Sequence, residues 1–294
     1  MFRRTLSMIA IVAVVFAASR GLVRALPGDP LETVLAETGT SIPREVLRKE
    51  LGLDRPYFTA LKSDVGQALH GDLGKSMVSR RPIAPLIIAR FFKTFQLTLL
   101  AFFMGVSLSL FLSLASANNP SSTVDRLCSL HGVLSAALPT PWLGPMMIYF
   151  FGILIPIFPA GNSIFLPALA LAFGFSGIWA RLIRQRVRET LEHGAAPGAR
   201  ARGIPEWKVI LKYGLAPASG ALIAYLGTQF GALLGGTFVT EVIFDWPGMG
   251  LLLVDGVLHR DYPVVEATAF VGATVALLGN ALGDWAQSKV DPRI

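Results

Sequence analysis

The triplet Gly74-Lys75-Ser76 has the residue types that close a phosphate-binding P-loop. In that motif a leading glycine lets backbone N–H groups wrap the phosphates, and Leu69 occupies its position here. Without the glycine the backbone cannot enclose a phosphate. The sequence therefore favours a glycine-rich turn over a nucleotide-binding site at these residues.

A second pattern with catalytic potential, Gly174-Phe175-Ser176-Gly177, lies inside an apolar block. It is similar to the Gly-x-Ser-Gly of rhomboid-like intramembrane proteases, in which a histidine on a later helix activates the serine. Such a nucleophile needs its base within hydrogen-bond reach, but the later histidines, His193 and His259, fall in predicted loops. Small residues in membrane helices more often allow close helix contacts. The protease using Ser176 is therefore kept as the alternative function.

Metal and redox chemistry have little support in the sequence. The four histidines are scattered without metal-ligand spacing, at His70, His131, His193 and His259. Cys128 is the only cysteine, so an internal disulfide is excluded. His131 alone lies in an apolar block, near its inner end, where a backbone carbonyl is the expected partner. We expect no catalytic residue and no metal site on this chain.

The composition is typical of a membrane protein. Of the 294 residues, 53% are hydrophobic and 15% are charged, whereas an ordinary soluble domain has roughly 25% charged residues. A helix needs about 20 mostly apolar residues to cross the hydrocarbon core. Six blocks approach that length and predict six transmembrane helices, at Thr5–Leu22, Thr94–Ala115, Leu127–Ile153, Ile164–Ile183, Ala216–Val239 and Pro263–Trp285.

The net charge of +7 comes from Lys and Arg residues that cluster between these blocks, a pattern that indicates membrane topology and not nucleic-acid binding. The loop between the fourth and fifth blocks carries eight of them, Arg181, Arg184, Arg186, Arg188, Arg200, Arg202, Lys208 and Lys212. That excess predicts a cytoplasmic loop. Alternation then places both termini in the cytoplasm and the segments Gly152–Ser163 and Thr240–Tyr262 outside.

Three parts follow from this topology, namely an N-terminal transmembrane helix at 1–24, an external segment at 25–90 and a five-helix core at 91–294. The first block also resembles a cleavable signal peptide, because a short apolar run follows Arg3 and Arg4 and ends at Phe16-Ala-Ala-Ser19. A retained helix is the favoured interpretation. The external segment is long and charge-balanced, and such segments translocate with little regard to their basic residues.

The basic loop has a pattern of its own. The fourth helix is predicted to continue past the membrane to His193 and to stop at Gly194. A short basic helix then ends at Gly203, and another helix begins near Pro205, with Trp207, Ile210 and Leu211 on one apolar stripe. A rigid knob of this kind suits a protein partner. A solvated loop would explain the arginines equally well, and the pattern alone does not separate the two.

Motifs along nearly the whole chain carry a family resemblance. In the basic loop these are Glu189, Leu191, Ala199-Arg200-Ala201-Arg202-Gly203 and Val209. Elsewhere they are Pro27-Gly-Asp-Pro30, Glu50-Leu-Gly-Leu-Asp-Arg-Pro56, Gly71-Asp-Leu-Gly74, Asp125-Arg126, Pro139-x-Pro-Trp-Leu-Gly144, Glu241-Val-Ile-Phe-Asp-Trp-Pro-Gly-Met-Gly250 and Arg260-Asp-Tyr-Pro-Val-Val265. Together they resemble the inner-membrane permeases of binding-protein-dependent ABC importers, in the dipeptide, oligopeptide and nickel branch.

The resemblance implies an all-α, type I ABC importer permease fold with an external segment after the first helix. It implies a coupling loop at about 188–212 that docks on a cytoplasmic ATPase, through the basic-loop residues named above. External gate or loop candidates are Glu241, Trp246, Pro247, Gly248 and Gly250. The implied partners are a second homologous permease, two ATPase subunits, an external solute-binding protein and membrane lipid. ATP and Mg would bind the ATPases, so no cofactor is expected on this chain. The resemblance implies a transport subunit and not an enzyme.

The sequence departs from the family pattern just before the Ala-Arg-Ala stretch. The family usually has a Tyr and then Arg-Thr, where this chain has Ala195, Pro197 and Gly198. An aromatic anchor and a basic contact are thereby lost. The Pro-Gly pair is also expected to weaken the first turn of the coupling helix.

Overall fold

The structure is a computed structural model, which describes residues 70–118, 121–158 and 163–290, together with 10, 11, 13–15, 17, 18, 21, 45, 66 and 67. Most of the predicted N-terminal helix and most of the predicted external segment lie outside the described residues. So does the end of the tail, at 291–294. The boundaries 1–24, 25–90 and 91–294 remain predictions.

The described part of the chain is helical. Its α-helices are α1 Ile83–Asn118, α2 Thr123–Ala137, α3 Thr140–Met147, α4 Phe165–His193, α5 Ala196–Ala201, α6 Glu206–Val209, α7 Ala216–Ile243, α8 Met249–Leu258 and α9 Tyr262–Val290. Two π-helical segments, Ile148–Leu154 and Ile210–Leu215, follow α3 and α6 directly. The predicted all-α class is confirmed.

Among the described residues, four helices are long and apolar enough to cross a membrane, at Ile83–Ala117, Phe165–His193, Glu206–Ile243 and Tyr262–Ala281. They contain the predicted second and fifth blocks, the fourth except for Ile164, and most of the sixth. The second block is longer than predicted, because its helix begins at Ile83 and not at Thr94. Those added turns fall within the segment that the sequence assigns to the external side.

The third block differs from a single predicted span. It consists of two helical pieces, Thr123–Ala137 and Thr140–Leu154, which are bent by 107°. Pro139 explains the break, because its ring excludes the helical conformation at the preceding residue. Leu138 is accordingly extended, with φ −90° and ψ 110°. Hydropathy registers the apolar length of both pieces together but not this break.

The chain divides into two compact units, one of residues 1–94 and 247–277 and the other of residues 95–246 and 278–294. In the first unit a tight turn contains the P-loop-like triplet, with Gly74 at φ +79°. The Ser76 hydroxyl donates a hydrogen bond to the Asp261 carboxylate, which also accepts one from the Met77 N–H at 2.9 Å. The predicted turn is confirmed, and its serine binds a carboxylate of the same chain.

In the second unit α2 packs closely on α4. A Cβ at Gly177 would lie 1.8 Å from the Ser135 hydroxyl and 3.0 Å from the Cα of Gly132, so only glycine allows this approach. The small residues of the Gly-x-Ser-Gly pattern therefore serve helix contact, as the sequence predicts.

Candidate functional site

The basic loop begins on a helix that runs well past the length needed to cross a membrane. α4 has 29 residues and ends at His193, against about 20 for a span. Gly194 is extended, and its N–H donates to the Thr190 carbonyl at 3.1 Å. A Cβ at this position would lie 2.7 Å from that carbonyl oxygen. The continued helix and its stop at Gly194 are both confirmed.

The short helix α5 follows, and a Schellman motif terminates it. The N–H of Gly203 donates to the Arg200 carbonyl at 2.9 Å, and the N–H of Ile204 donates to the Ala199 carbonyl at 3.2 Å. Gly203 takes the left-handed φ of +72° that this motif requires, and no atom of the described residues lies within 4 Å of a Cβ built on it. Backbone conformation, and not crowding within the chain, is what calls for glycine here.

The first turn of α5 is intact despite Pro197. Proline lacks an N–H, but the first turn of a helix has no partner for that group in any case. Pro197 lies in that turn, and the Ala199 N–H donates to the Ala195 carbonyl at 3.0 Å. The helix therefore forms with Pro197 in it, and the weakening expected from the Pro-Gly pair stays a prediction.

One side of the loop is anchored in a buried apolar cluster. Leu191, Ala199 and Val209, all predicted coupling residues, are buried there. The cluster also contains Ala117, Ile183, Val187, Ala196, Ile210, Ala218 and Leu222. Because these side chains face inward, they fix the position of α5 and cannot themselves meet a partner.

The other predicted coupling residues face outward. Arg200, Ala201, Arg202 and Gly203 are exposed, and Glu189 is partly exposed. The predicted apolar stripe also divides, since Ile210 is buried whereas Trp207 and Leu211 are 61% and 43% exposed. The exposed surface of the loop is thus basic and aromatic, and its buried side packs in the apolar cluster.

An ion pair closes the turn between α5 and α6. The Nη2 atom of Arg200 lies 2.6 Å from Oε1 of Glu206, and Nε lies 3.1 Å from Oε2. This bidentate contact with the carboxylate raises the pKa of the Arg200 guanidinium. Arg200 is therefore held in place, and Arg202 is the exposed basic residue beside it.

A cleft of about 540 Å³ opens beside the start of α5. Its lining is Glu189, Thr190, His193, Gly194, Ala195, Tyr213 and Pro217. The Thr190 hydroxyl donates to the Gly214 carbonyl at 2.6 Å, which ties α4 to the second π-helical segment. Ala195, where the family usually has a tyrosine, contributes only a methyl group to this cleft.

A network at Asp125 supports the same part of α4. Its Oδ1 atom accepts hydrogen bonds from Arg184 at 2.7 Å, from Arg188 at 2.9 Å and from the Ser116 hydroxyl at 2.5 Å. The Ser121 N–H donates to Oδ2 at 3.1 Å. Sequence reasoning noted the Asp125-Arg126 motif but missed this pairing. The signal available was an acidic residue at a helix start and two arginines one turn apart on another helix.

His131, which is partly buried, and Ser176 form a pair between α2 and α4. The Nε2 atom of His131 lies 2.8 Å from the Ser176 hydroxyl, so the predicted carbonyl partner for this histidine is wrong. The hydroxyl also contacts the Phe173 carbonyl at 3.2 Å. Ser176 is fully buried, at 0% exposure, and a substrate has no access to it. The pair therefore joins two helices and is not arranged for hydrolysis.

The external gate candidates lie around the end of α7 and the start of α8. Glu241 and Trp246 are buried, and the Trp246 N–H donates to the Glu241 carbonyl at 2.8 Å. Gly248 is the N-cap of α8, Gly250 is buried in its first turn, and Pro247 is partly buried. Their role as an external gate or loop stays a prediction.

Comparison with known proteins identifies the family. A profile described as "binding-protein-dependent transport system inner membrane component" matches residues 105–294. The glutathione transport system permease protein GsiC of Escherichia coli K12 is 33% identical over 297 residues, covering 99% of this chain and 97% of its own. The GsiC protein of Pectobacterium atrosepticum gives the same values.

A crystal structure of an amino acid ABC transporter with histidines matches with a TM-score of 0.56 and 20% identity, over 70% of this chain and 94% of that one. This likeness supports the fold. The profile and the relatives carry the identification: the chain belongs to the family of binding-protein-dependent transport system inner membrane components, in agreement with the resemblance found in its sequence.

Proposed function

We propose that this chain is the permease subunit of an ATP-driven importer of peptides or peptide-like solutes. Family membership makes it a multi-pass inner-membrane transport component of an ABC importer. The substrate class is supported by relatives named for glutathione, which match nearly the whole chain. Neither the family nor the relatives support the protease alternative.

The coupling role rests on one observation, the rigid mounting of α5. Ala196 and Ala199 are buried against the chain, while Pro197, Gly198, Ala201 and Arg202 are exposed. The Schellman motif and the Arg200–Glu206 pair fix the far end of the helix. Because α5 is held in this way, a displacement of α5 by an ATPase would move α4 and α7 with it. Glu189, the remaining predicted coupling residue, lies in the last turns of α4, before α5 begins.

The complete transporter would contain a second homologous permease, two cytoplasmic ATPase subunits and an external solute-binding protein. ATP and Mg would bind at the ATPases. Closure of the ATPase pair would move the two coupling helices, rock the permeases and open the pathway outward. Glu241, Trp246, Pro247, Gly248 and Gly250 are proposed to belong to the external loop of that pathway.

The departures at Ala195, Pro197 and Gly198 change the docking surface and not the helix. In the part of the chain that the structure describes, a Cβ at Gly198 would meet no atom within 4 Å, so the surface is open at this point. The partner ATPase would have to complement a flat, uncharged first turn next to the cleft at Ala195.

Affinity purification of the chain from its host tests this proposal. We expect a second permease and ATPase subunits to be recovered, and the complex to take up glutathione or other short peptides in proteoliposomes that contain ATP. A stable homodimer that transports without ATPases would overturn the proposal.

Orientation is tested separately with phosphatase fusions. Fusions after His193 should be inactive, and fusions after Asn162 or Gly256 should be active, because the basic loop is proposed to be cytoplasmic. An active fusion after His193 would reverse the topology.

A further inference from the structure

The helix that follows the coupling segment is longer than a membrane is thick. Glu206–Ile243 is one candidate span of 38 residues, formed by α6, the second π-helical segment and α7. At about 1.5 Å per residue it extends roughly 57 Å, against about 30 Å of hydrocarbon. Several turns must therefore lie outside the hydrocarbon core, and the polar residues Glu206, Lys208 and Lys212 mark the first turns as that end.

The side chains of these first turns are sorted between two faces. Val209 and Ile210 are buried in the apolar cluster described above. Trp207 and Leu211, four residues apart, are exposed, and so are Lys208 and Lys212 next to them at the same spacing. Residues four apart lie on one side of a helix, so these four form one strip, the Trp207 surface.

Each lysine of this strip lies beside an aromatic ring, Trp207 within the strip and Tyr213 next to it. The Nζ atom of Lys208 lies 5.2 Å from the centroid of the Trp207 ring, and that of Lys212 lies 5.8 Å from the Tyr213 ring. Glu206, the acidic residue at its start, is held by Arg200. The positive charge of both lysines therefore remains available to an outside anion.

We propose that the Trp207 surface binds anionic phospholipid of the cytoplasmic leaflet, with both lysines on the headgroup phosphate and Trp207 and Leu211 in the interfacial layer. Tryptophan is enriched at this depth, where its ring is half in contact with acyl chains. Basic residues beside a span attract anionic headgroups. This inference rests on the cytoplasmic placement of the loop in the proposed function.

The test uses the assembled transporter in nanodiscs of phosphatidylcholine mixed with phosphatidylglycerol. Native mass spectrometry measures the ratio of the two lipids that stay bound on release. We expect the wild type to retain phosphatidylglycerol preferentially, and Lys208→Gln with Lys212→Gln to lower that preference by roughly fivefold per lysine. Trp207→Ala should lower the total bound lipid without removing the charge preference.

The matched control is Lys75→Gln with Arg81→Gln, which removes the same charge from exposed residues of the Gly74 turn and should leave the ratio unchanged. An unchanged ratio in the Lys208/Lys212 variant would overturn the proposal. So would loss of ATPase subunits from that variant with the lipid ratio unchanged, because the surface would then be a protein interface. If no ATPase subunit copurifies with the wild-type chain, the proposed function fails. The ratio of bound lipids can still be measured on the purified chain, so the two proposals fail separately.

Discussion

The guanidinium of Arg200 and the carboxylate of Glu206 meet at 2.6 Å across the turn at Gly203. The end of α5 is thereby tied to the start of α6, which continues into a candidate membrane span. A displacement of α5 would reach that span through this pair and through the buried cluster beneath it.

Replacing Glu206 with Gln should lower ATP-coupled uptake by roughly two- to fivefold, because an exposed ion pair is worth up to about 1 kcal/mol. The amount of chain in the membrane should not change. Arg186→Gln removes another exposed pair, with Glu189 at 3.2 Å, and should leave uptake at the wild-type level. The swap Arg200→Glu with Glu206→Arg should restore part of the uptake. If the swap stays as impaired as Glu206→Gln, Arg200 acts by direct contact with a partner and not through Glu206.

Sequence patterns predicted the local features of this region because local rules decide them. Gly194 and Gly203 are predictable helix ends, because Gly203 takes a left-handed φ and a Cβ at Gly194 would crowd the carbonyl of Thr190 one turn back. The bend at Pro139 was missed, since a hydropathy window averages over it. The partners of Asp125 and His131 were missed because they lie on another helix, and one sequence does not show which helices adjoin.

Replacing Asp125 with Asn should lower the thermal unfolding midpoint of the purified transporter. The carboxylate compensates two arginines, Arg184 and Arg188, whose side chains are only 21% and 28% exposed. Leaving them without a counter-charge should cost about 2 kcal/mol. Arg126→Gln, at the exposed neighbour in the same motif, is the control and should leave the midpoint unchanged. Equal midpoints for both variants would show that the network does not stabilise α4.

Replacing Ser176 with Ala should destabilise the protein without abolishing uptake. The partly buried His131 ring would lose its hydroxyl partner, at a cost of about 1 kcal/mol. Ser107→Ala, on an exposed position of α1, should have no effect on the unfolding midpoint. A fluorophosphonate probe should leave the wild type unlabelled, because Ser176 is fully buried. Labelling that disappears in Ser176→Ala would instead reveal a reactive serine.

Replacements at Gly198 and Gly203 distinguish the effect of backbone strain at the turn from the effect of a changed docking surface. Gly203→Ala places a Cβ at φ +72°, which should cost about 1–2 kcal/mol locally, whereas Gly198→Ala lies within α5 and should favour the helix by up to about 1 kcal/mol. Gly203→Asp adds a carboxylate beside Arg202 to the same strain. Both positions are exposed, so insertion and accumulation should remain normal in all three variants.

Uptake per ATP hydrolysed by the Gly203→Asp transporter is the most direct measure of coupling through α5. We expect this variant to accumulate normally in the membrane, to lose ATP-coupled uptake and to retain less ATPase on purification. Uptake at the wild-type rate, with the ATPase fully retained, would contradict the coupling role and leave residues 188–212 as a solvated connection between two spans.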